Sequence, residues 1–331
     1  MPDTSAPRLV VYGAGAIGGV LAARLVLAGI DVTAVARGEH LDAVRASGLT
    51  LVDDTGQTTV RLSAVANAGE VDWSDDPIVM IAVKSHQTQT ALDDLAAHAP
   101  RRTPVFAAQN GVANERAALR RFSEVYGVAV LVSAAHLEPG VVVQQSHPVA
   151  GILDLGRYPS GGDDVAQRVS AMFRAAQFLS EVRPDIMAWK YRKLIANLGN
   201  GVTATHRPSS AAEELVARAR TEAERVLATA GIDVITADRD RERRGEVLNG
   251  RVRADYFGST WQSVARGRVD VETDWFNGEI VLQARLLGLT APVNELLQRV
   301  TAEYARSGRP PRTLDAEQTL ARLATHDSLT G

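Results

Sequence analysis

Apolar and polar positions along the chain follow two periods, and the changes of period outline its elements. Residues 8–12 (RLVVY) are a short apolar run that predicts a buried strand. The glycine-rich stretch Gly13–Gly19 follows, and VLAARLVLAG then carries apolar residues at helical spacing as far as Gly29. With a second strand over Asp31–Ala36, this makes a β-α-β unit of about 30 residues. Further strands are predicted at VRLSAV near 60, PIVMIAV at 77–83, TPVFAAQN at 103–110 and YGVAVLVSAA at 126–135. Helical patterns such as TQTALDDLAAHA lie between several of them. Strands alternating with helices predict an α/β fold with a parallel, doubly wound sheet of Rossmann type. In EPGVVVQQSHPVAGILDLG, two runs broken by turn residues predict antiparallel strands added at the sheet edge.

Past RYPSGGDD (157–164) the period becomes mainly helical. Helices are expected over 164–178, from near Asp185, and after Pro208, where Ser210-x-x-Glu213 reads as a capping box. The expected organisation is a Rossmann domain over 1–183 and an all-α domain over 184–331, with a peripheral polar tail after about 310. A length of 331 residues fits two domains. There are no internal repeats.

Composition narrows the chemistry. Apolar residues at 45% and charged residues at 23% are ordinary for a soluble globular protein, and a formal charge of −3 offers no strong field for nucleic acid or anionic lipid. The arginine-rich run RDRERRGEVLNGRVR (239–253) is interspersed with acids and reads as a solvated loop and helix face. With no cysteine, disulfides, thiolate zinc sites and thiol catalysis are excluded. No histidines show metal-ligand spacing, so no metal is expected. Neither a signal peptide nor a membrane span is apparent, which makes the cytoplasm the default expectation. Of 36 basic residues only Lys84, Lys190 and Lys193 are lysines. A GC-rich genome that favours arginine codons accounts for the bias itself, but in such a chain at least one retained lysine is expected where a compact, titratable ammonium is needed.

The motif Gly13-x-Gly15-x-x-Gly18 sits between a predicted strand and helix, the context that gives it meaning. Gly13 permits the tight turn, Gly15 lets the backbone approach a pyrophosphate, and Gly18 lets the helix pack closely on the strand. A diphosphate would rest on the helix N-terminus, at Ala16, Ile17 and Gly18. At the end of the second strand, where an NAD site places an acid, the chain has Ala36 and then Arg37. Without an acid to repel a 2′-phosphate, and with a cation to pair with it, NADPH is the expected cofactor. The alternative for Arg37 is a surface arginine opening a loop.

In order along the chain, GAGAIGG (13–19), VAR (35–37), VKSHQT (83–88), QNGV (109–112), KLIAN (193–197) and STWQSVARGRVDVETDWFNG (259–278) resemble the ketopantoate reductases, or 2-dehydropantoate 2-reductases, of the 6-phosphogluconate dehydrogenase-like superfamily. The resemblance spans most of the chain. It implies reduction of a 2-oxo acid by hydride from NADPH, with ketopantoate the first candidate substrate and pantothenate biosynthesis the setting. It also implies that Lys84 faces the cofactor and that Asn110 lies by the nicotinamide. Lys193 takes the position of the catalytic lysine, whose ammonium can protonate the alkoxide that hydride addition leaves. Lys190, one turn earlier, is the competitor. Lys193, Asn197 and Asn200 are expected on one face of a single helix, by their spacing. Glu272 matches the family glutamate, able to orient substrate or lysine. Ser259 or Thr260 would meet the substrate carboxylate, with Thr260 on the family's serine.

Three departures touch the substrate end. The family's second asparagine falls where this chain has Gly201, Thr260 replaces serine, and Val264 replaces an acid. They keep a different 2-oxo acid open as substrate. A non-catalytic NADP-binding sensor is the third reading, against which the retained Lys193, Asn197 and Glu272 argue. The resemblance is compatible with a homodimer; no nucleic-acid or membrane partner is expected.

Overall fold

The computed structural model describes residues 7–136, 138–248 and 258–330. Contact density divides the chain into two compact units: one runs through Lys190 and takes in a later segment from Ala237, and the other holds Tyr191–Thr236 and the chain beyond residue 257.

The first unit opens with β1 (Leu9–Tyr12), α1 (Ala16–Leu27), β2 (Val32–Val35) and α2 (Gly38–Ser47). A hairpin of β3 (Leu49–Asp53) and β4 (Gly56–Val60) follows, then β5 (Ser63–Val65), β6 (Ile78–Ile81), α3 (Thr88–His98), β7 (Val105–Ala107), α4 (Asn114–Leu119) and β8 (Val125–Leu131). The unit continues through β9 (Ala134–Ala135), β10 (Val141–Gln144), β11 (Gly151–Arg157), α5 (Asp164–Ala175) and β12 (Phe178–Leu179). Its main sheet has the order β12-β11-β8-β7-β6-β1-β2-β5. From β5 to β8 all neighbours are parallel, and the strand order reverses direction at β1, between β2 and β6. That reversal is the switch point of a doubly wound sheet, where ligands bind beyond the carboxyl ends. Period-2 alternation sorts the strands between two cores. Leu9, Val11, Met80 and Phe106 face one side with Leu21 and Leu25 of α1; Val10, Val79, Ile81 and Val105 face the other with Leu92 and Leu95 of α3.

Two local expectations about strands need correction here. VRLSAV is not one strand, because β4 ends at Val60 and β5 begins at Ser63. The two runs expected together at the sheet edge separate. β11 pairs antiparallel with β8 but lies inside β12, and β10 joins a second sheet, β4-β3-β10-β9, parallel to β3. What holds that sheet is long-range. A Cβ at Gly19 would come 2.6 Å from Val142 Cγ1, so glycine there lets β10 lie on α1. Buried Arg24 of α1 donates to Asp53 (2.5 Å), Gln144 (2.7 Å) and Gln177 (2.8 Å). Neither contact is visible in hydropathy.

The chain then forms α6 (Ile186–Asn197), α7 (Asn200–Thr205), α8 (Ser210–Thr229), α9 (Ala237–Arg244), α10 (Ser259–Ala265), α11 (Asn277–Leu286), α12 (Pro292–Arg306) and α13 (Ala316–Thr330). The division between units falls in α6, after Lys190, and α9 belongs to the first unit. The N-cap of α8 is Ser209, whose hydroxyl accepts from Ala212 N, one residue before the expected capping box. The tail is not peripheral. α13 buries Ala316, Thr319 and Leu323 on one face, and the ring of buried His206 shares a 3.0 Å hydrogen bond with Thr319. The arginine-rich run is also more than a solvated face, since Arg243 of α9 makes two hydrogen bonds to the buried carboxylate of Asp154, at 2.8 and 2.7 Å. Its residues beyond 248 lie outside the described residues. Among the described residues no helix is long and apolar enough to cross a membrane.

Candidate active site

In the first unit the predicted cofactor residues collect at the carboxyl ends of consecutive strands. Gly13 follows β1, Arg37 lies just past β2, Lys84 follows β6 and Asn110 follows β7. The glycine turn is built as its spacing requires. Gly13 has φ +102°, and a Cβ there would lie 2.6 Å from Val83 Cγ1. A Cβ at Gly18 would overlap the Gly13 carbonyl oxygen, so helix and turn close on each other only through glycine. Gly15 differs: nothing lies within 4 Å of a Cβ there. It is the N-cap of α1, without a side-chain cap, and the first turn carries no acid. The first intrahelical bond runs from Gly19 N to Gly15 O at 2.7 Å. The amides of Ala16, Ile17 and Gly18 precede it and lack intrahelical acceptors, at the positive end of the helix dipole. An open approach to bare amides fits a diphosphate.

Arg37 is exposed and opens α2 as its N-cap, without a side-chain cap. At the end of β1, Tyr12 donates to Asp94 at 2.6 Å. Burial first, and then that hydrogen bond, push its phenol pKa up, while the Arg37 charge pulls it down. Tyr12 therefore stays protonated through the physiological range.

The loops after β6 and β7 are tied together by side chains that the motif alone does not assign. Gln109 Nε2 donates to Val83 O and to Thr88 Oγ1, both at 2.8 Å. Thr88 Oγ1 donates to Asn114 Oδ1 at 2.9 Å, and Asn114 Nδ2 donates to Asn110 O at 3.1 Å. Ser85 Oγ also reaches Asn110 O, at 3.4 Å. Beneath them Lys190, buried in α6, pairs with fully buried Glu115 at 2.6 Å. It also donates to Gln109 O (2.8 Å) and Val128 O (3.0 Å). The two carbonyls take its hydrogen bonds, and its charge is met by the Glu115 carboxylate, whose oxygens accept no hydrogen bond among the described residues. Gln109 stands inside the QNGV motif and was findable there; no local signal pairs Glu115 with Lys190, 75 positions on.

In the second unit Lys193 is half-buried and Asn197 buried, one turn apart near the end of α6. Asn200 does not continue that face. The chain leaves the helix at Leu198 and Gly199, and Asn200 begins α7. Both glycines at this break are closely packed. A Cβ at Gly199 would lie 2.9 Å from Val216 Cγ1 of α8, and one at Gly201 would overlap Thr301 Oγ1 of α12. The family's asparagine at 201 has no room here, which accounts for the glycine. Buried Asn277 steadies the turn by donating to Leu198 O (3.3 Å) and Asn294 Oδ1 (3.0 Å). Ser259 and buried Thr260 open α10, which packs against α7. Val264, where an acid was expected, is buried with Ala204 and Tyr304, so a carboxylate there would need a partner that this apolar cluster does not offer. Glu272 is buried at the start of a single 3₁₀ turn, Glu272–Trp275.

A switch-point glycine turn of this geometry defines a Rossmann-type, dinucleotide-binding fold. The comparisons with known proteins narrow it. Residues 9–160 match the family model described as ketopantoate reductase PanE/ApbA, and 185–305 match its C-terminal counterpart. The chain is 30% identical to the 2-dehydropantoate 2-reductase of Halobacterium salinarum over 318 residues, 91% of this chain and all of that protein. It is 28% identical to that of Pyrococcus horikoshii over 306 residues, 88% of this chain and 95% of that protein. A PanE/ApbA family ketopantoate reductase from Ralstonia eutropha superposes with a TM-score of 0.77 at 25% identity, covering 91% of this chain and 99% of that one. A D-mandelate dehydrogenase bound to NADH shares the fold, with a TM-score of 0.77 at 19% identity over the same shares of the two chains. This chain belongs to the ketopantoate reductase family, whose members are oxidoreductases acting on CH–OH groups.

Proposed function

We propose that this protein uses NADPH to reduce a 2-oxo acid to the 2-hydroxy acid, with ketopantoate as the substrate. The observation that carries the cofactor half is the open space at Gly15 beside the bare amides of Ala16, Ile17 and Gly18. Arg37 supports NADPH over NADH, because β2 ends without an acid and a guanidinium pairs well with a 2′-phosphate. In this reading the NADP site lies within residues 1–183, and the acid and the remaining substrate contacts come from 184–331.

Bound NADPH supplies the hydride. Lys84 contacts the cofactor, and the Asn110 amide orients the nicotinamide or the carbonyl through one donor and one acceptor. Lys193 donates the proton that the developing alkoxide needs and stabilises its charge before transfer. Its competitor Lys190 is already committed to Glu115, Gln109 O and Val128 O, which supports Lys193. The buried Glu272 carboxylate favours the charged form of a nearby lysine and orients the substrate hydroxyl. Asn197 and Asn200 hold the substrate, and Thr260 or Ser259 meets its carboxylate.

A second reading keeps the chemistry and changes the acid. Gly201 and Val264 alter the substrate end for packing reasons, and the D-mandelate dehydrogenase likeness illustrates that one fold serves more than one 2-hydroxy acid. The test is NADPH and, separately, NADH absorbance loss on adding ketopantoate to the purified protein. Rapid oxidation of NADPH alone supports the proposal. NADPH binding without turnover moves the search to other 2-oxo acids, and failure of the whole panel favours a sensor.

A further inference from the structure

We propose that Lys190 and Glu115 act as a positioning pair that sets the peptide before Asn110 for hydride transfer; this rests on the placement of Asn110 at the nicotinamide. The pair is almost completely shielded, with side-chain exposures of 2% and 0%. Burying two opposite charges adds little net stability compared with apolar residues of the same volume, so the pair is better explained by what the ammonium holds than by stability. The direction here is specific. Lys190 Nζ holds the carbonyl of Gln109, the oxygen of the peptide that joins Gln109 to Asn110. In a trans peptide the N–H points opposite to the C=O, so gripping that oxygen aims the Asn110 N–H away from the buried pair.

A second grip on Val128 O indexes the peptide to β8, the neighbouring strand. The other carbonyl of Asn110 is held by Asn114 and Ser85. Gln109 carries the same registration to Val83, immediately before Lys84. One ammonium thus fixes the loop after β7 and, through Gln109, the loop after β6. Gly127 makes room for it: a Cβ there would lie 3.2 Å from Lys190 Cδ and 3.5 Å from Glu115 Oε1.

The test is the double variant K190M/E115L, which removes both charges and so avoids leaving one buried alone. Its readouts are single-turnover kinetics with the best 2-oxo acid, NADPH affinity, and amide hydrogen exchange of the NADPH-bound protein. A positioning role predicts a kcat about 100-fold lower, as expected for a displacement near 1 Å. NADPH affinity stays nearly unchanged, and exchange is faster over 83–88 and 109–112 only. A folded double variant that turns over at the wild-type rate overturns the proposal. If the wild type itself reduces no 2-oxo acid, the functional reading fails separately and exchange alone decides. Loosening confined to those two loops supports the pair's role; none, or uniform loosening across the unit, rejects it. Should the double variant not fold, Gly127→Ala presses on the Lys190 side chain, which must give by a few tenths of an ångström, and is scored by the same readouts, with a smaller fall in kcat.

Discussion

Two glycine-rich helix starts, one in each unit, put the same residue to opposite uses. At the start of α1, the middle glycine of the turn, Gly15, faces open space, while Gly13 and Gly18 are pressed against Val83 and against each other. At the start of α7, both Gly199 and Gly201 are filled, by Val216 and Thr301. The first turn closes on itself while leaving one open approach; at the second, both glycine positions are filled. Glycine at a helix start therefore signals a ligand only where the volume of the missing side chain stays empty. In the other instance it signals helices brought within a Cβ radius of each other.

The comparison can be attacked from several directions. Its boldest implication is that chemistry in the second unit comes from α6, ahead of the packed turn. Lys193→Ala should lower kcat by about 10²–10⁴-fold, the range for loss of a general acid, with NADPH affinity retained. Equal loss of both would make the lysine structural. At the open start, Gly15→Ala should barely move the melting temperature, since φ there is −70° and the new methyl enters empty space. It should weaken NADPH by roughly 100-fold, the loss of one or two hydrogen bonds to a charged group. Calorimetry in the presence and absence of NADPH separates the two. Arg37→Ala should weaken NADPH about 10-fold or more while sparing NADH; an equal fall in NADH would remove the 2′-phosphate assignment.

At the filled start the order of effects inverts. Gly201→Ala should cost ~1–3 kcal/mol in denaturant unfolding, as overpacking does, with NADPH titration unaltered. The smallest effect concerns the helices around α7. Burial, outweighing its hydrogen bond to the Val202 backbone and the Asp315 charge, holds the His206 pKa below its ordinary 6.5. The unfolded chain then binds a proton more readily than the folded one. Stability from this group is complete above pH 6.5 and declines as the pH falls from 6.5 toward the lower folded value. His206→Gln should flatten that slope, measured as unfolding free energy against pH.

How much of this was legible in the chain depended on whether partners were near in sequence. The glycine turn, the strands flanking it and the absence of an acid before Arg37 lie within about 30 residues, and their geometry follows from local rules. The second sheet was hidden because β10 finds β3 across some 90 residues, steadied by Arg24, and a run such as LTLVD carries no record of that partner. The break between Asn197 and Asn200 was hidden similarly, since Thr301 decides what fits at 201. The tail looked peripheral because its burial is thin, spread over Ala316, Thr319 and Leu323. Ser210 in place of Ser209 was an ordinary one-residue slip between two adjacent serines.

The bond of Arg243 to Asp154 has a bearing on modularity. A segment encoded after the first 40-odd residues of the second unit returns to complete the first. Neither unit is a single stretch of chain, so no one cut in the gene yields a self-sufficient cofactor module. A fragment ending at 183 would keep Arg183 near Asp154, at 3.2 Å, but lose the two-pronged clamp on that buried carboxylate. Recombination that exchanges one half of such a protein for a relative's must therefore carry two separated pieces together, or inherit an acid without its arginine.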